Sequence, residues 1–154
     1  MDIDTKCHKL SWEDWWSLGL GLGKMPVAPG TWGSLLGIVL ALPLARMPLI
    51  LSVIWILFWT GFSCWTCDKT YKKFGRQDHK SIVCDEVVGM MWTYMFMPLS
   101  ITKVFLGFLL FRLLDICKPP PINWLESDKL GSFGVMADDM AAGLLSYAIL
   151  YLIT

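Results

Sequence analysis

The sequence is short of charge and of histidine. Asp, Glu, Lys and Arg make up 17% of the 154 residues, and the formal net charge is zero, whereas about a quarter of an average soluble domain is charged. Because binding to a nucleic-acid backbone needs an excess of positive charge, this balance argues against nucleic acid as a partner, and we expect none. Only His8 and His79 are present, which excludes a histidine-rich metal site.

The N-terminus also lacks the apolar run of a signal peptide, since residues 1–16 are too polar. We therefore expect an amphipathic N-terminal segment, residues 1–18, that stays in the cytoplasm. The five cysteines are an odd number, and most of them lie in apolar segments. This distribution predicts reduced thiols and no disulfide framework.

Apolar residues, in contrast, are abundant. They make up 55% of the chain, nine of them are Trp, and the mean hydropathy is +0.54. This exceeds what one compact core needs and predicts an integral membrane protein of a single domain, residues 1–154. The oligomeric state does not follow from the sequence.

The apolar stretches predict an all-α fold. Residues 31–67 contain two runs broken at 45–48, residues 87–114 contain two runs broken near 98–103, and residues 141–154 form the last run. Only the run that begins at Met47 clearly reaches the length of about 20 residues that a membrane crossing requires. The pattern indicates two helical hairpins followed by a C-terminal helix.

Basic residues predict the orientation of these helices. The two candidate outer turns carry only Arg46 and Lys103, whereas residues 68–80 carry five cations. These are Lys69, Lys72, Lys73, Arg76 and Lys80. By the positive-inside rule, the N-terminus, residues 68–80 and residues 115–140 face the cytoplasm, and the C-terminus lies outside.

Five acids lie at the predicted cytoplasmic ends of apolar helices. They are Asp85, Glu86, Asp115, Asp138 and Asp139. The topology places them at one level of the membrane, where crowded carboxylates predict a Mg²⁺ or Mn²⁺ site. Alternatively, the acids simply favour helix N-termini, where the helix dipole stabilises negative charge.

Residues 24–37, KMPVAPGTWGSLLG, contain a candidate phosphate site. Pro29-Gly30 predicts a turn, and Thr31 is a suitable N-cap with Ser34 three residues later. A helix N-terminus with two hydroxyl groups and Lys24 nearby is a potential anion site. The alternative is an ordinary capped membrane helix.

Residues 111–124, FRLLDICKPPPINW, place Arg112, Asp115 and Lys118 along one helix face, before a run of three prolines. Two cations that flank an acid suit a site that holds both a metal ion and a phosphate. A surface ladder of salt bridges is the alternative.

Four motifs occur in order: APGTWGSL, DHKSIVCDEVVGM, FRLLDICKPPPI and GVMADDMAAG. Together they resemble the bacterial phosphatidylglycerophosphatase A family, from about Gly19 to the C-terminus. The resemblance implies a Mg²⁺-dependent phosphatase of the bacterial inner membrane with a cytoplasmic active site. The implied reaction hydrolyses phosphatidylglycerophosphate to phosphatidylglycerol and phosphate in phospholipid biosynthesis.

The resemblance carries roles to nine residues, and Lys24 is added from its position. The expected metal ligands are Glu86, Asp85, Asp115, Asp138 and Asp139. The expected catalytic residues are Asp85, Glu86 and Asp139, and the expected phosphate-binding residues are Thr31, Ser34, Arg112, Lys118 and Lys24. The expected cofactor is Mg²⁺.

Three questions stay open at this point. The favoured reaction is direct attack by water, with one carboxylate as base, but an aspartyl-phosphate intermediate on Asp85 or Asp139 is an alternative. The whole chain is alternatively a small ion transporter or channel that uses intramembrane carboxylates. In a third interpretation it is a purely structural helical membrane protein whose acids are helix caps.

Overall fold

The protein is helical throughout the part of the chain that its structure, a computed structural model, describes: residues 10–74, 80–120, 122 and 132–154. No strand occurs among these residues, which confirms the predicted all-α class. The helices are α1 (Trp12–Ser17), α2 (Pro29–Ala41), α3 (Leu49–Phe74), α4 (Cys84–Thr93), α5 (Ile101–Cys117) and α6 (Ser132–Ile153). Short 3₁₀ segments cover Gly19–Lys24 and Leu42–Ala45.

Both predicted breaks separate helices in the structure. Residues 45–48 fall between α2 and α3, and α5 begins at Ile101 after the second break. Ser100 caps α5, because its hydroxyl accepts a hydrogen bond from the Lys103 N–H at 3.3 Å. By length and composition, Leu49–Lys73 of α3 and Phe133–Ile153 of α6 are the two helices of the described residues that are able to cross a membrane.

Helix α4 is short and central. Its 10 residues span about 15 Å, half the thickness of a hydrocarbon core of about 30 Å. Nearly all of its side chains are buried, and it packs most extensively against α6 and α2, with further contacts to α3 and α5. Helix α4 therefore forms the core of the bundle and does not itself cross a bilayer.

Glycines allow the neighbours of α4 to approach closely. A Cβ added to Gly143 of α6 would lie 2.2 Å from the backbone oxygen of Gly89 in α4. A Cβ on Gly37 of α2 would lie 2.6 Å from the backbone oxygen of Val87. Since backbone oxygens cannot rotate away as a side chain does, these contacts fix the distances between α4 and both neighbours.

A buried polar network ties α1 to the end of α3. Asp14 is almost fully buried, accepts hydrogen bonds from the Ser11 N–H and the Thr70 hydroxyl, and pairs with the ammonium of Lys73. The backbone oxygen of Ser17 then accepts the N–H of Val83, the residue before α4, at 2.9 Å. The network therefore helps to position the start of α4.

The prediction that the cysteines are reduced is wrong for one pair. Cys67 of α3 and Cys84 of α4 form a disulfide, with their Cα atoms 7.2 Å apart. The two cysteines meet because α3 and α4 pack side by side, a contact that sequence spacing does not reveal. Cys64 and Cys117 are free, and Cys7 lies outside the described residues.

Two other expectations fall partly outside the described residues. Of the predicted N-terminal segment 1–18, residues 1–9 are not described and the remainder contains α1. Arg76, one of the five cations predicted to face the cytoplasm, also lies outside the described residues.

The close approach of α4 and α6 generates a first prediction. Gly143→Ala should force the two helices apart and lower the free energy of unfolding by about 1–3 kcal/mol. The matched control is Gly61→Ala in α3, because a Cβ at Gly61 would meet nothing within 4 Å. Thermal unfolding in detergent should show a lower Tm for Gly143→Ala and an equal or higher Tm for Gly61→Ala; equal behaviour of the two variants would contradict the proposed close approach.

The Asp14 network generates a second prediction, on acid stability. Burial by itself raises the pKa of Asp14, but hydrogen bonds from Lys73 and Ser11 outweigh burial and lower that pKa below its ordinary value. Ionised Asp14 therefore stabilises the fold above its unfolded pKa of about 3.9, and this contribution is lost as the pH falls through the folded pKa.

Asp14→Asn should consequently lower the free energy of unfolding by about 1–3 kcal/mol at neutral pH. The difference from wild type should shrink as the pH falls below about 4, because protonated Asp14 resembles Asn. Thermal unfolding of both proteins across a pH series measures this difference. A difference that grows on acidification would contradict the assigned role of Asp14.

Candidate active site

Three carboxylates from two helices meet beside the core of the bundle. Asp85 and Glu86 lie in the first turn of α4, and Asp139 lies in α6. One oxygen of each side chain lies within 4.8 Å of one oxygen of each of the others. We call Asp85, Glu86 and Asp139 the carboxylate cluster.

The close approach of α4 and α6 brings these acids together. Glu86 precedes Gly89 by three residues, and Asp139 precedes Gly143 by four, so each acid lies about one helical turn from the glycine contact. A glycine follows each acidic pair within four residues, in DEVVG and DDMAAG. This spacing could have indicated the close helix contact from the sequence, but it was not used.

The position of Asp138 and Asp139 differs from the prediction. We expected both acids at the N-terminal end of the last helix, but α6 begins at Ser132, so they lie almost two turns inside it. Residues 132–137, SFGVMA, therefore also belong to the helix. A favourable interaction with the helix dipole acts mainly in the first turn and therefore does not explain these two acids.

Burial dominates the electrostatics of the cluster. Burial and the neighbouring Asp85 carboxylate raise the pKa of Glu86 well above its ordinary value, and burial also raises the pKa of Asp85. Both residues lie outside the two apolar helices that are long enough to cross a membrane. In the absence of a cation, the site thus opposes the charged forms of its own acids.

One oxygen of Glu86 is also unsatisfied. Its Oε2 is buried and has no hydrogen-bond partner within the described ranges, a costly arrangement for a carboxylate. Three hard oxygen donors close together fit Mg²⁺ or Mn²⁺ better than Zn²⁺. The residues present therefore fit the divalent cation that the sequence predicted.

The other two predicted metal ligands pair with basic side chains. Asp115 binds the Arg112 guanidinium at 2.6 Å, and Asp138 binds the Lys118 ammonium at 2.5 Å. Asp115 also lies close enough to repel the carboxylates of the cluster electrostatically. The structure thus divides the five predicted ligands into three clustered carboxylates and two that form ion pairs.

Arg112 lies where α2 meets the cluster. A Cβ added to Gly30 would lie 2.3 Å from Glu86 Oε1 and 3.1 Å from a guanidinium nitrogen of Arg112. A side chain at this position would therefore displace the ends of the Glu86 and Arg112 side chains, which glycine leaves undisturbed. From the sequence, Gly30 was expected only as part of a turn, and this close approach was not predicted.

The first turn of α2 differs in detail from the prediction. Thr31 is not the N-cap, because α2 begins at Pro29 and the N-cap is Ala28, in the left-handed region at φ 49°. Pro favours the first helical position, since its fixed φ suits a helix and the missing N–H needs no partner there. Thr31 instead donates its N–H to the backbone oxygen of Ala28 at 2.9 Å.

Two further predicted phosphate ligands have local partners. The buried Ser34 hydroxyl donates to the backbone oxygen of Gly30 at 2.9 Å, within α2. Lys24 is exposed, and its ammonium lies 5.4 Å from the centre of the Trp15 ring, against α1. Of the predicted phosphate ligands, Arg112 is therefore the one with the clearest position beside the carboxylate cluster.

Comparison with known proteins identifies the family of this chain. Residues 15–154 match the family Phosphatidylglycerophosphatase A. The chain belongs to the phosphatidylglycerophosphatase A family. The resemblance recognised from the four motifs is thereby confirmed.

Individual phosphatidylglycerophosphatase A proteins match most of the chain. The protein of that name from Escherichia coli is 37% identical over 154 residues, covering 97% of this chain and 90% of the relative. That from Haemophilus influenzae is 37% identical over 141 residues, covering 89% and 85%. A relative from Bacteroides thetaiotaomicron, 31% identical with coverage of 86% and 87%, has a provisional assignment as a phosphatidylinositol-3-phosphatase. No solved structure matches the chain.

Proposed function

We propose that this protein hydrolyses phosphatidylglycerophosphate to phosphatidylglycerol and inorganic phosphate, with Mg²⁺ as its cofactor. The observation that carries the proposal is the carboxylate cluster, with its oxygens within 4.8 Å and Arg112 beside it. The names of the Escherichia coli and Haemophilus influenzae relatives support the same substrate.

Asp85, Glu86 and Asp139 would hold the cation. When bound, Mg²⁺ neutralises phosphoryl oxygens and lowers the pKa of a coordinated water. The unsatisfied Oε2 of Glu86 supports this assignment, because a ligand bond would satisfy it. Asp115 and Asp138 act beside the metal ligands, where their ion pairs keep Arg112 and Lys118 in place.

The chain's own residues bind the phosphate and move the proton. Arg112 presents a planar guanidinium to the phosphoryl group. The water oxygen attacks phosphorus and loses its proton to a carboxylate oxygen of the cluster that does not bind the cation. The bond between phosphorus and the glycerol oxygen breaks, and that oxygen takes up a proton from solvent.

The membrane orientation forms part of the proposal. Helices α3 and α6 would cross the inner membrane, with the basic end of α3 (Lys69, Lys72 and Lys73) in the cytoplasm. Cys67, near that end, is bonded to Cys84 beside Asp85, so the cluster lies close to the cytoplasmic level. A lipid headgroup at the membrane surface would reach the cluster while its acyl chains remain in the bilayer.

Metal binding is tested apart from catalysis. Mn²⁺, which is paramagnetic, should bind purified wild-type protein, and electron paramagnetic resonance should follow the loss of free ion. Mg²⁺ should compete with Mn²⁺ and should raise the Tm, because a cation that binds only the folded state stabilises it.

Glu86→Gln and Asp139→Asn should each weaken Mn²⁺ binding by at least about tenfold, since each removes a charged ligand. Asp68→Asn is the matched control, because Asp68 lies in α3 and pairs with Lys72 at an exposed site. Unchanged Mn²⁺ affinity in both cluster variants would contradict the metal assignment.

Activity is tested by phosphate release in detergent. Wild-type protein with Mg²⁺ should release phosphate from phosphatidylglycerophosphate, and EDTA should abolish release. Glu86→Gln and Asp139→Asn should lower kcat by about 10³-fold, as expected when several kcal/mol of transition-state stabilisation are lost. Asp68→Asn should retain wild-type kcat.

The substrate is tested with a panel of phosphomonoester lipids. Phosphatidic acid and phosphatidylinositol 3-phosphate serve as competitors, the latter because of the Bacteroides relative. We expect the highest kcat/KM for phosphatidylglycerophosphate. A higher value for either competitor would overturn the substrate assignment, and full activity of both cluster variants would overturn the mechanism.

A further inference from the structure

An apolar groove lies between α2 and α5. Its volume is about 660 Å³, within the range of about 300–1,000 Å³ that is typical of ligand sites. Its walls include Leu35, Ile38 and Leu42 of α2, and Val104, Phe105 and Phe108 of α5. Leu35 and Phe105 are exposed, so the groove opens sideways from the bundle.

The groove leads to the candidate active site. At one end, Gly30 of α2 approaches Arg112 of α5. Phe108 lies four residues before Arg112, and Leu35 lies four residues after Thr31, so each shares a helix face with a site residue one turn away. The groove walls therefore continue, within about 6 Å along each helix, into the region assigned to the phosphate.

The polarity of the groove favours one class of ligand. The polar side chain in its lining is Ser100, and the Ser100 hydroxyl caps α5 by accepting the Lys103 N–H. The charged groups, Arg112 and the carboxylate cluster, lie beyond the end of the groove that is formed by Leu35 and Phe108. A ligand that matches this distribution has a long apolar chain and a single anionic head, which describes a phospholipid.

We propose that this groove is an acyl-chain subsite, which holds one chain of the lipid whose phosphate lies at Arg112. The inference rests on the proposed phosphatase function and extends it. If α2 and α5 presented only a flat surface to the bilayer, no particular lipid chain would be held there. Here a chain in the groove would orient the phosphate toward the cluster, because chain and phosphate belong to one molecule.

The test uses two substrates that share a headgroup. One is phosphatidylglycerophosphate with two oleoyl chains, and the other is its deacylated, water-soluble headgroup. Leu35→Trp and Val104→Trp narrow the groove without altering a residue of the proposed site. Leu57→Trp is the matched control, because Leu57 lies on α3, is exposed and does not line the groove.

Both groove variants should raise KM for the lipid about tenfold, the loss expected when roughly two methylene groups no longer bind. Their kcat/KM for the deacylated headgroup should stay within about twofold of wild type, less than the tenfold loss for the lipid. Leu57→Trp should match wild type with both substrates. Equal KM values for the lipid in groove and control variants would overturn the inference, as would equal losses on both substrates.

Photochemical cross-linking gives a second measurement that needs no substitution. A phosphatidylglycerophosphate carrying a diazirine in one acyl chain is bound to wild-type protein in EDTA and irradiated. Labelling should concentrate on residues 101–108 of α5 and 35–42 of α2, and excess unlabelled substrate should prevent it. Labelling spread evenly over α3 and α6, or labelling of a second protein copy across the groove, would overturn the inference.

The two proposals fail in different ways. If wild-type protein releases phosphate from neither substrate, the proposed function fails and the inference fails with it. If wild-type protein is active but the groove variants behave as Leu57→Trp does, the acyl-chain subsite alone is rejected.

Discussion

Mutual repulsion among buried carboxylates is the constraint on which the candidate site depends. Asp85, Glu86 and Asp139 present oxygens within 4.8 Å of one another, and burial removes the water that would screen their charges. One oxygen of Glu86 has no hydrogen-bond partner among the described residues. In its ionised form such a group of acids needs a compensating cation, and this is the physical basis of the metal site that we propose.

Glycines at the contacts between helices allow these acids to lie close together. Gly143 against Gly89 brings α6 close to α4, and Gly30 brings α2 close to Glu86 and Arg112. In a bundle surrounded by lipid, close approach and dispersion contacts stabilise helix pairs because water no longer supplies a driving force between them. The same glycines therefore contribute to the stability of the bundle and to the geometry of the site.

Helix α4 connects the site to the rest of the bundle. Because it is short and surrounded by α2, α3, α5 and α6, its first turn occupies a fixed position where several helix ends meet. The Asp14 network and the Val83–Ser17 hydrogen bond position the residues that precede it. A phosphate bound at this point would lie near charged side chains, and the groove between α2 and α5 would offer its lipid an apolar surface one helical turn away.

Residue types and local patterns predicted much of this arrangement. The apolar runs indicated the helices and their breaks, and the acidic pairs in the ordered motifs indicated the family. The detailed ends of helices were harder to predict. Thr31 was expected as a cap, but Pro29 begins α2, and Asp139 was expected at a helix end, but α6 begins at Ser132. Local propensity is weak at such boundaries, so contacts with neighbouring helices decide them.

The class of the protein, its helices and the acids and cations available for chemistry follow from composition and from the spacing of residues along one chain. The packing of the helices settles which of the five acids share a site, which of them pair with Arg112 and Lys118, and that Cys67 meets Cys84. Distances between helices depend on how side chains interlock across them, and no periodicity within a single segment specifies that fit.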